Sequence, residues 1–292
     1  MFRTISFALT ASFLAGLAMS GCFAAQPPPQ CQTVSTQDFN GNPPYLAMLK
    51  RTSATAACTD EQKLASMLVG VQDYIPPGGG AAQLVLRPGR LIDLAQGHVF
   101  SADIDAKNNC QAKKNCGSCG PDGGNPCLFV DDPVTRSDPE DPEGKKFNAL
   151  GGFSRAPTNG VCAAPNPLVA SQNFEAVTLM LVDGGTATLP ALPATFAFSD
   201  VKVITTFEVP GTAFTAKLSQ TEGACVAAYD VVAFYPSIAC EADVDCDPNT
   251  DLDAGRTTGS GINPDFAPKC DTDLGYCVPT VDVTKPGLPK LP

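Results

Sequence analysis

Thirteen cysteines in a chain of 292 residues constrain this fold more than any other feature of the sequence. Cytosolic proteins avoid such density unless the thiols bind metal, whereas exported proteins use cysteines for disulfide crosslinks. Structural zinc sites need closely spaced pairs, and of the four cysteines between residues 110 and 127 only Cys116 and Cys119 form a CxxC pair. We therefore favour disulfides over zinc. We interpret the CxxC as a loop crosslink, because a redox-active CxxC usually lies at a helix start.

The first residues of the chain indicate export. Arg3 precedes an apolar run from Ile5 to Met19, which is shorter than the roughly 20 residues of a membrane span and is typical of a signal peptide. The run ends in Met19-Ser20-Gly21-Cys22, which resembles the lipobox of bacterial lipoproteins. The resemblance implies that residues 1–21 are removed and that Cys22 becomes an acylated N-terminus. The alternative is an ordinary signal peptide cleaved near Ala24-Ala25.

Acylation of Cys22 leaves twelve cysteines, an even number that permits six disulfides. The candidates are Cys31, Cys58, Cys110, Cys116, Cys119, Cys127, Cys162, Cys225, Cys240, Cys246, Cys270 and Cys277. Acyl chains such as palmitate would bind the protein to a lipid bilayer, at about 0.8 kcal/mol for each buried methylene. Residues 22–45 would then be a lipidated N-terminus and a Pro-rich tether.

The residue after the lipobox bears on which membrane is used. Position 23 is Phe and not Asp. By resemblance to the sorting rule of enterobacterial lipoproteins, this favours the outer membrane, with the protein facing the periplasm or the surface.

Composition excludes some partners. The formal net charge is −11, which argues against nucleic acid because phosphate contacts supply much of that affinity. The chain has no Trp, which weakens but does not remove a sugar-binding interpretation. A protein or glycan ligand of unknown identity therefore remains the expected soluble partner. The 26 Gly and 27 Pro indicate many turns and few long helices.

One helix is predicted over residues 59–74. Thr59 and Gln62 have the spacing of a capping box. Apolar residues then follow at i, i+3, i+4 and i+7, namely Leu64, Met67, Leu68 and Val71. Pro76 and Pro77 would end the helix.

Most of the remaining pattern predicts strands. Residues 32–57 have no clear period. Strands are predicted at Gln83–Leu86, Gly97–Ile104, Phe174–Val182, Thr186–Leu189, Ala194–Phe198, Val201–Val209, Ala213–Leu218 and Cys225–Tyr235. We expect a mainly β fold, a β-sandwich-like or barrel-like domain over residues 46–238 with one packed helix. A cysteine-rich, acidic excursion at residues 105–160 would interrupt this domain.

Residues 239–292 change character again and predict a small disulfide-rich C-terminal module with a disordered tail. Cys240 and Cys246 enclose an acidic stretch, and Cys270 and Cys277 follow. This pattern resembles the small cysteine-rich modules at the ends of secreted surface proteins, including many myxobacterial lipoproteins. The resemblance carries no known activity.

An alternating acidic stretch within this module is the best metal candidate. Its oxygen ligands would suit Ca²⁺, and they are Asp243, Asp245, Asp247, Asn249, Asp251 and Asp253. The EF-hand template does not fit, because Gly at the sixth position and Glu at the twelfth are missing. A solvated acidic loop is the favoured alternative.

No catalytic residue is predicted. His98 is the only histidine, it has no GxSxG motif to accompany it, and the chain has no P-loop or dinucleotide-binding motif. The sequence therefore favours a lipid-anchored cell-envelope protein with a non-enzymatic binding or structural role and no cofactor. The two alternatives are a calcium-dependent adhesion module and an exported hydrolase that uses carboxylates or His98.

Overall fold

Apolar and polar side chains alternate along most of the chain, and the corresponding segments are strands. The computed structural model describes residues 30–36, 43–77, 80–102, 145–180, 186–206, 209–249 and 258–281. Within them, thirteen strands and one α-helix lie in the order β1 (Tyr45–Ala54), β2 (Ser66–Tyr74), β3 (Ala82–Pro88), α1 (Gly89–Ala102), β4 (Ala149–Phe153), β5 (Val161–Ala164), β6 (Leu168–Phe174), β7 (Val177–Met180), β8 (Thr186–Leu189), β9 (Leu192–Thr205), β10 (Pro210–Glu222), β11 (Cys225–Phe234), β12 (Pro268–Asp271) and β13 (Tyr276–Pro279). Short 3₁₀ helices lie at Lys145–Phe147, Asp243–Cys246 and Pro264–Phe266.

Nine strands form one antiparallel sheet in the order β4-β3-β2-β1-β11-β10-β9-β5, with β6 also paired to β9. The two ends of this sheet come together, because the Ser154 amide donates to the Ala163 carbonyl over 3.0 Å. The sheet is therefore curled, with an inner and an outer face. β7 pairs with β8 and β12 with β13 as separate hairpins. The prediction of a mainly β fold with one helix is confirmed.

The inner face of the curled sheet holds the main core. Period-two alternation points Phe196, Phe198, Leu218 and Tyr229 inward, and all are buried. Helix α1 adds Leu91, Ile92 and Ala95 to the same cluster. Burial of each large apolar side chain contributes about 1.5–3 kcal/mol. In the part of the chain that the structure describes, helices lack the length and apolar composition of a membrane span.

The C-terminal residues cover part of the outer face. Ile262 and Phe266 pack against Leu46 of β1 and Phe234 of β11 in a second buried cluster. Two disulfides, Cys240–Cys270 and Cys246–Cys277, lie within this C-terminal segment. Disulfide-bonded cysteines near the C-terminus were predicted, and here they join a segment that also buries apolar surface on the sheet.

The predicted helix over residues 59–74 is wrong. Gln62 Oε1 accepts from the Thr59 amide over 3.0 Å, so the capping contact does form. It caps a single turn, after which Ser66–Tyr74 is β2. The residues Met67, Val69 and Val71 alternate inward between β1 and β3, and burial of this period-two face outweighs the capping contact.

The helix of the fold lies elsewhere, and it overturns a second prediction. Residues 97–102 belong to α1 and not to a strand. By contrast, the strand prediction at Gln83–Leu86 is confirmed by β3, and Thr186–Leu189 matches β8. The two predicted strands between Ala194 and Val209 are largely one continuous strand, β9.

Candidate functional site

The N-terminal segment Cys31–Thr36, which we call the strap, crosses one end of the curled sheet. Cys31 is joined to Cys162 of β5 by a disulfide with a Cα–Cα distance of 5.7 Å. At the other end of the strap, the Thr36 amide donates to the Val71 carbonyl of β2 over 2.9 Å. Thr33 lies between them and donates its amide to Asp73 Oδ1 over 2.9 Å. The strap therefore links β5 to β2 across what we call the strap end of the sheet.

Tyr45 holds the middle of the strap in place. Its hydroxyl accepts from the Val34 amide over 3.1 Å and donates to the Gly211 carbonyl over 2.5 Å. Burial raises the pKa of Tyr45 well above its ordinary value of 10.0, so this phenol stays neutral and keeps its proton to donate.

Gly211 makes the close approach of the strap possible. Its φ is +76°, a conformation that favours glycine, and a Cβ here would lie 2.2 Å from the carbonyl oxygen of Gln32. The start of β10 therefore accepts the strap backbone only because position 211 has no side chain.

A groove of about 330 Å³ lies beside the strap on the outer face of β2 and β3. Its lining residues are Thr36, Gly70, Val71, Gln72, Val85, Arg87 and Asn148. Arg87 Nε donates to Asn148 Oδ1 over 2.7 Å, which fixes the guanidinium at one wall. These described lining residues offer hydroxyl, amide and guanidinium groups. Such a groove is suited to recognise a polar ligand.

A buried ion pair lies at the opposite end of the sheet, where β10 turns into β11 at Gly223 and Ala224. We call this the hairpin end. Arg90 of α1 donates to both carboxylate oxygens of Glu222, over 3.1 and 3.0 Å. Hydrogen bonding to Glu222 raises the pKa of Arg90. Gln220 Nε2 donates to the same carboxylate over 2.8 Å, so the charge of Glu222 is well compensated.

The turn before β2 is tied to this ion pair. Gln62 Nε2 donates to the Glu222 carbonyl over 3.3 Å, and the Gln62 carbonyl accepts from Gln220 over 3.1 Å. The disulfide Cys58–Cys225 joins the same turn to β11. Gln220 Oε1 has no hydrogen-bond partner among the described residues. These contacts make the hairpin end a structural polar cluster in which the carboxylate is already occupied.

The predicted site residues fall into two groups. Eight of the predicted cysteines form disulfides, namely Cys31–Cys162, Cys58–Cys225, Cys240–Cys270 and Cys246–Cys277. Cys22, Cys110, Cys116, Cys119 and Cys127 lie outside the described residues. The sulfurs of Cys240, Cys246 and Cys270 lie within 4.8 Å of one another, but each is in a disulfide and offers no thiolate to a metal.

The described members of the predicted calcium set bind local backbone groups. Asp245 Oδ2 accepts from the amides of Glu241 and Ala242 over 2.9 and 3.0 Å. Asp243 Oδ1 accepts from the Cys270 amide over 3.0 Å, and Asp247 Oδ1 accepts from the Asn249 amide over 2.9 Å. Asp251 and Asp253 lie outside the described residues. Calcium binding here stays a prediction.

His98 lies in α1 and not at a strand start, and its side chain is outside the described residues. Sequence reasoning missed the strap and the groove. Cysteine spacing could not show that Cys31 pairs with Cys162, and the groove draws on four separate segments. The one available signal was Gly211, which follows Pro210 between two predicted strands.

The curled antiparallel sheet, the strap and the four disulfides among the described residues define a disulfide-crosslinked β protein. Within this class the chain belongs to the MlpA family, whose family model matches residues 45–236. A Myxococcus xanthus protein named "Putative lipoprotein MlpA" is 26% identical over 275 residues, which cover 92% of each chain. The resemblance to myxobacterial lipoproteins is thereby confirmed. No solved structure matches the chain.

Proposed function

We propose that this protein is a lipid-anchored component of the cell envelope, and that its curled sheet has a binding or structural role and not a catalytic one. The lipobox ending in Cys22 and the name of the Myxococcus xanthus relative support the anchor. Phe23 favours the outer membrane. The disulfides support an oxidising location outside the cytoplasm.

The observation that carries the proposal is the strap. Cys31 follows Cys22 by only nine residues, and it is covalently joined to β5 through Cys162. An acylated Cys22 would therefore attach the bilayer to the fold through a short tether that ends at a crosslink. Such an attachment suits a domain that must be held at a membrane surface.

The test compares the membrane association of wild type and Cys22→Ala in the native host. We expect Cys22→Ala to leave the membrane fraction, because the acyl chains supply the bilayer affinity. The matched control is Cys31→Ala with Cys162→Ala, which also removes cysteines but leaves the lipobox intact and should stay in the membrane fraction. Membrane association of Cys22→Ala equal to wild type would show that the anchor is wrong.

We assign the proposed binding role to the groove beside the strap. Arg87, held by Asn148, lies among amide and hydroxyl groups that can orient a polar ligand. A photo-crosslinking residue placed at the exposed Gln72 should capture a partner in native envelopes, and Arg87→Ala should reduce that adduct. The control is the same probe at exposed Lys202 on β9, which lies away from the groove. Equal adducts at both positions would argue against the groove as the binding site.

A further inference from the structure

We propose that the strap end of the sheet rests against the phospholipid headgroups, with Tyr74 at the bilayer interface, and that the hairpin end points away from the membrane. This inference rests on the proposed lipidation of Cys22. It goes further by assigning a lipid-contacting end and a membrane-distal end to the fold.

The length of the tether limits the orientation of the domain. Cys31 follows Cys22 by nine positions, and nine residue steps of a fully extended chain span at most about 30 Å. β10 runs from the strap end to the hairpin end over 13 residues, which at about 3.4 Å per residue is roughly 44 Å. The tether is shorter than the strand. The domain therefore cannot turn over and place its hairpin end on the bilayer.

The fixed point of the tether is at the strap end and cannot slide. Cys31 is held by its disulfide to Cys162 and by its amide, which donates to the Arg155 carbonyl over 3.0 Å. Thr33 and Thr36 add bonds to β2. Because the strap is held at several points, the 30 Å limit applies to the sheet itself and not to a segment that can detach from it.

Tyr74 is placed to meet the lipid surface. It is the last residue of β2, next to Asp73, which accepts hydrogen bonds from Thr33 of the strap. Its side chain is 57% exposed, more than the other large apolar residues described. Tyrosine is enriched at membrane interfaces, because its ring is apolar and its hydroxyl can reach water and headgroups. Its exposure at this end of the fold is explained by such contact.

Because the chain contains no Trp, single Trp substitutions give an unambiguous test. The full lipidated protein is reconstituted into phosphatidylcholine vesicles in which part of the lipid carries brominated acyl chains. We expect Tyr74→Trp to lose roughly half of its fluorescence and to shift to the blue, since an interfacial side chain contacts lipid on one side. Val226→Trp is the matched control, because Val226 is 43% exposed at the hairpin end, and we expect no quenching.

Two further variants serve as a second probe of the strap end and as a control without the lipid anchor. Gln83 is exposed and pairs with Tyr74 across β2 and β3. Gln83→Trp should therefore show the same quenching as Tyr74→Trp, and it still tests the proposal if Tyr74→Trp fails to fold. Tyr74→Trp combined with Cys22→Ala should show no quenching. Vesicle flotation is measured on every sample, so that lipid attachment and orientation are scored separately.

Several outcomes would overturn the proposal. Equal quenching at positions 74 and 226 would mean that the domain lies on its side, and quenching at position 226 alone would mean that it is inverted. Flotation without quenching at positions 74 and 83 would show an anchored protein whose strap end is held off the bilayer. Failure of the protein to float would instead contradict lipidation of Cys22, and the orientation would fall with it.

Discussion

Arg90 and Glu222 lie 132 residues apart in the chain, yet the guanidinium of one donates to both carboxylate oxygens of the other. The Glu222 side chain is 1% exposed, whereas that of Arg90 is 24% exposed. The pair thus joins the start of α1 to the last residue of β10. Its stability depends on both partners, since a buried carboxylate is costly without a cation.

Replacement of Arg90 by Met should reduce the free energy of unfolding by about 3 kcal/mol, because the buried Glu222 charge loses its compensating cation. The control is Lys217→Met, which breaks the exposed Lys217–Asp230 pair and should cost less than about 1 kcal/mol. Urea denaturation of the oxidised protein measures both values. Equal losses in the two variants would show that burial of the Arg90 pair contributes nothing.

The buried hydroxyl of Tyr45 should make the free energy of unfolding depend on pH in the alkaline range. The unfolded chain releases this proton near its ordinary pKa of 10.0, whereas burial raises the pKa of Tyr45 in the folded state. The unfolded state is therefore favoured as pH rises above about 10, and the contribution of Tyr45 is fully present only below that pH.

Tyr45→Phe should abolish this part of the alkaline loss. At neutral pH it should cost about 1–3 kcal/mol, because the Val34 amide and the Gly211 carbonyl lose their partner. The free energy of unfolding is measured from pH 7 to pH 11, with Tyr74→Phe as the exposed control. A Tyr45→Phe variant with the same alkaline loss as wild type would contradict the assignment.

Gly211→Ala should displace the strap. A Cβ at this position meets the Gln32 carbonyl and also occupies a positive φ. Gly275 has a similar φ of +71° but nothing within 4 Å of an added Cβ, so Gly275→Ala should cost only about 1 kcal/mol from backbone strain. We expect Gly211→Ala to cost more and to speed amide hydrogen exchange at Thr33 and Val34. Matching losses in the two variants would mean that the strap does not contact Gly211.

The disulfides should contribute according to the length of chain that they close. Cys58–Cys225 closes 167 residues and Cys240–Cys270 closes 30. The chain-entropy model gives about 5 kcal/mol for the first and about 4 kcal/mol for the second. Paired Cys→Ala variants, followed by denaturant titration, should therefore rank in that order. A larger loss from Cys240–Cys270 would indicate that enthalpy and not loop closure sets the ranking.

Substitution of Asp245 distinguishes a structural role of this carboxylate from calcium binding. Because its carboxylate accepts from two backbone amides, Asp245→Ala should destabilise the C-terminal segment by about 1 kcal/mol, like the loss of a helix cap. This loss should be the same in calcium and in a chelator. A wild-type melting temperature that rises with calcium, together with loss of that rise in Asp245→Ala and Asp247→Ala, would instead support the predicted calcium site.

The strands of the second half of the chain could be predicted because buried and exposed residues alternate along most of each strand. Val201 and Val203 are buried while Lys202 is exposed, and such a pattern fits a two-residue period only. The apolar residues between Leu64 and Val71 fit both the helical and the strand period. Their partners in β1 and β3 decided between the two, and those partners are not visible in a local window.

Helix α1 was not predicted, for a related reason. It begins directly after β3 at Gly89, without an N-terminal Ser, Thr, Asp or Asn, so that the usual start signal is missing. The strap and the groove could not be predicted at all. They depend on the contact of Cys31 with Cys162 and on Thr36 with Val71, and pairings of this kind follow from the closed sheet and not from residue spacing.

The order of the disulfides along the chain has a consequence for biogenesis. Cys31–Cys162 and Cys58–Cys225 interleave, and so do Cys240–Cys270 and Cys246–Cys277. A polypeptide that emerges from a translocation pore N-terminus first exposes Cys31 and Cys58 together, long before either native partner arrives. Oxidation of neighbours in order of appearance would trap the wrong bonds. On the proposed export route, a chain oxidised in this order would need thiol exchange after the last strands have crossed, and its yield should then depend on the isomerase activity of the receiving compartment.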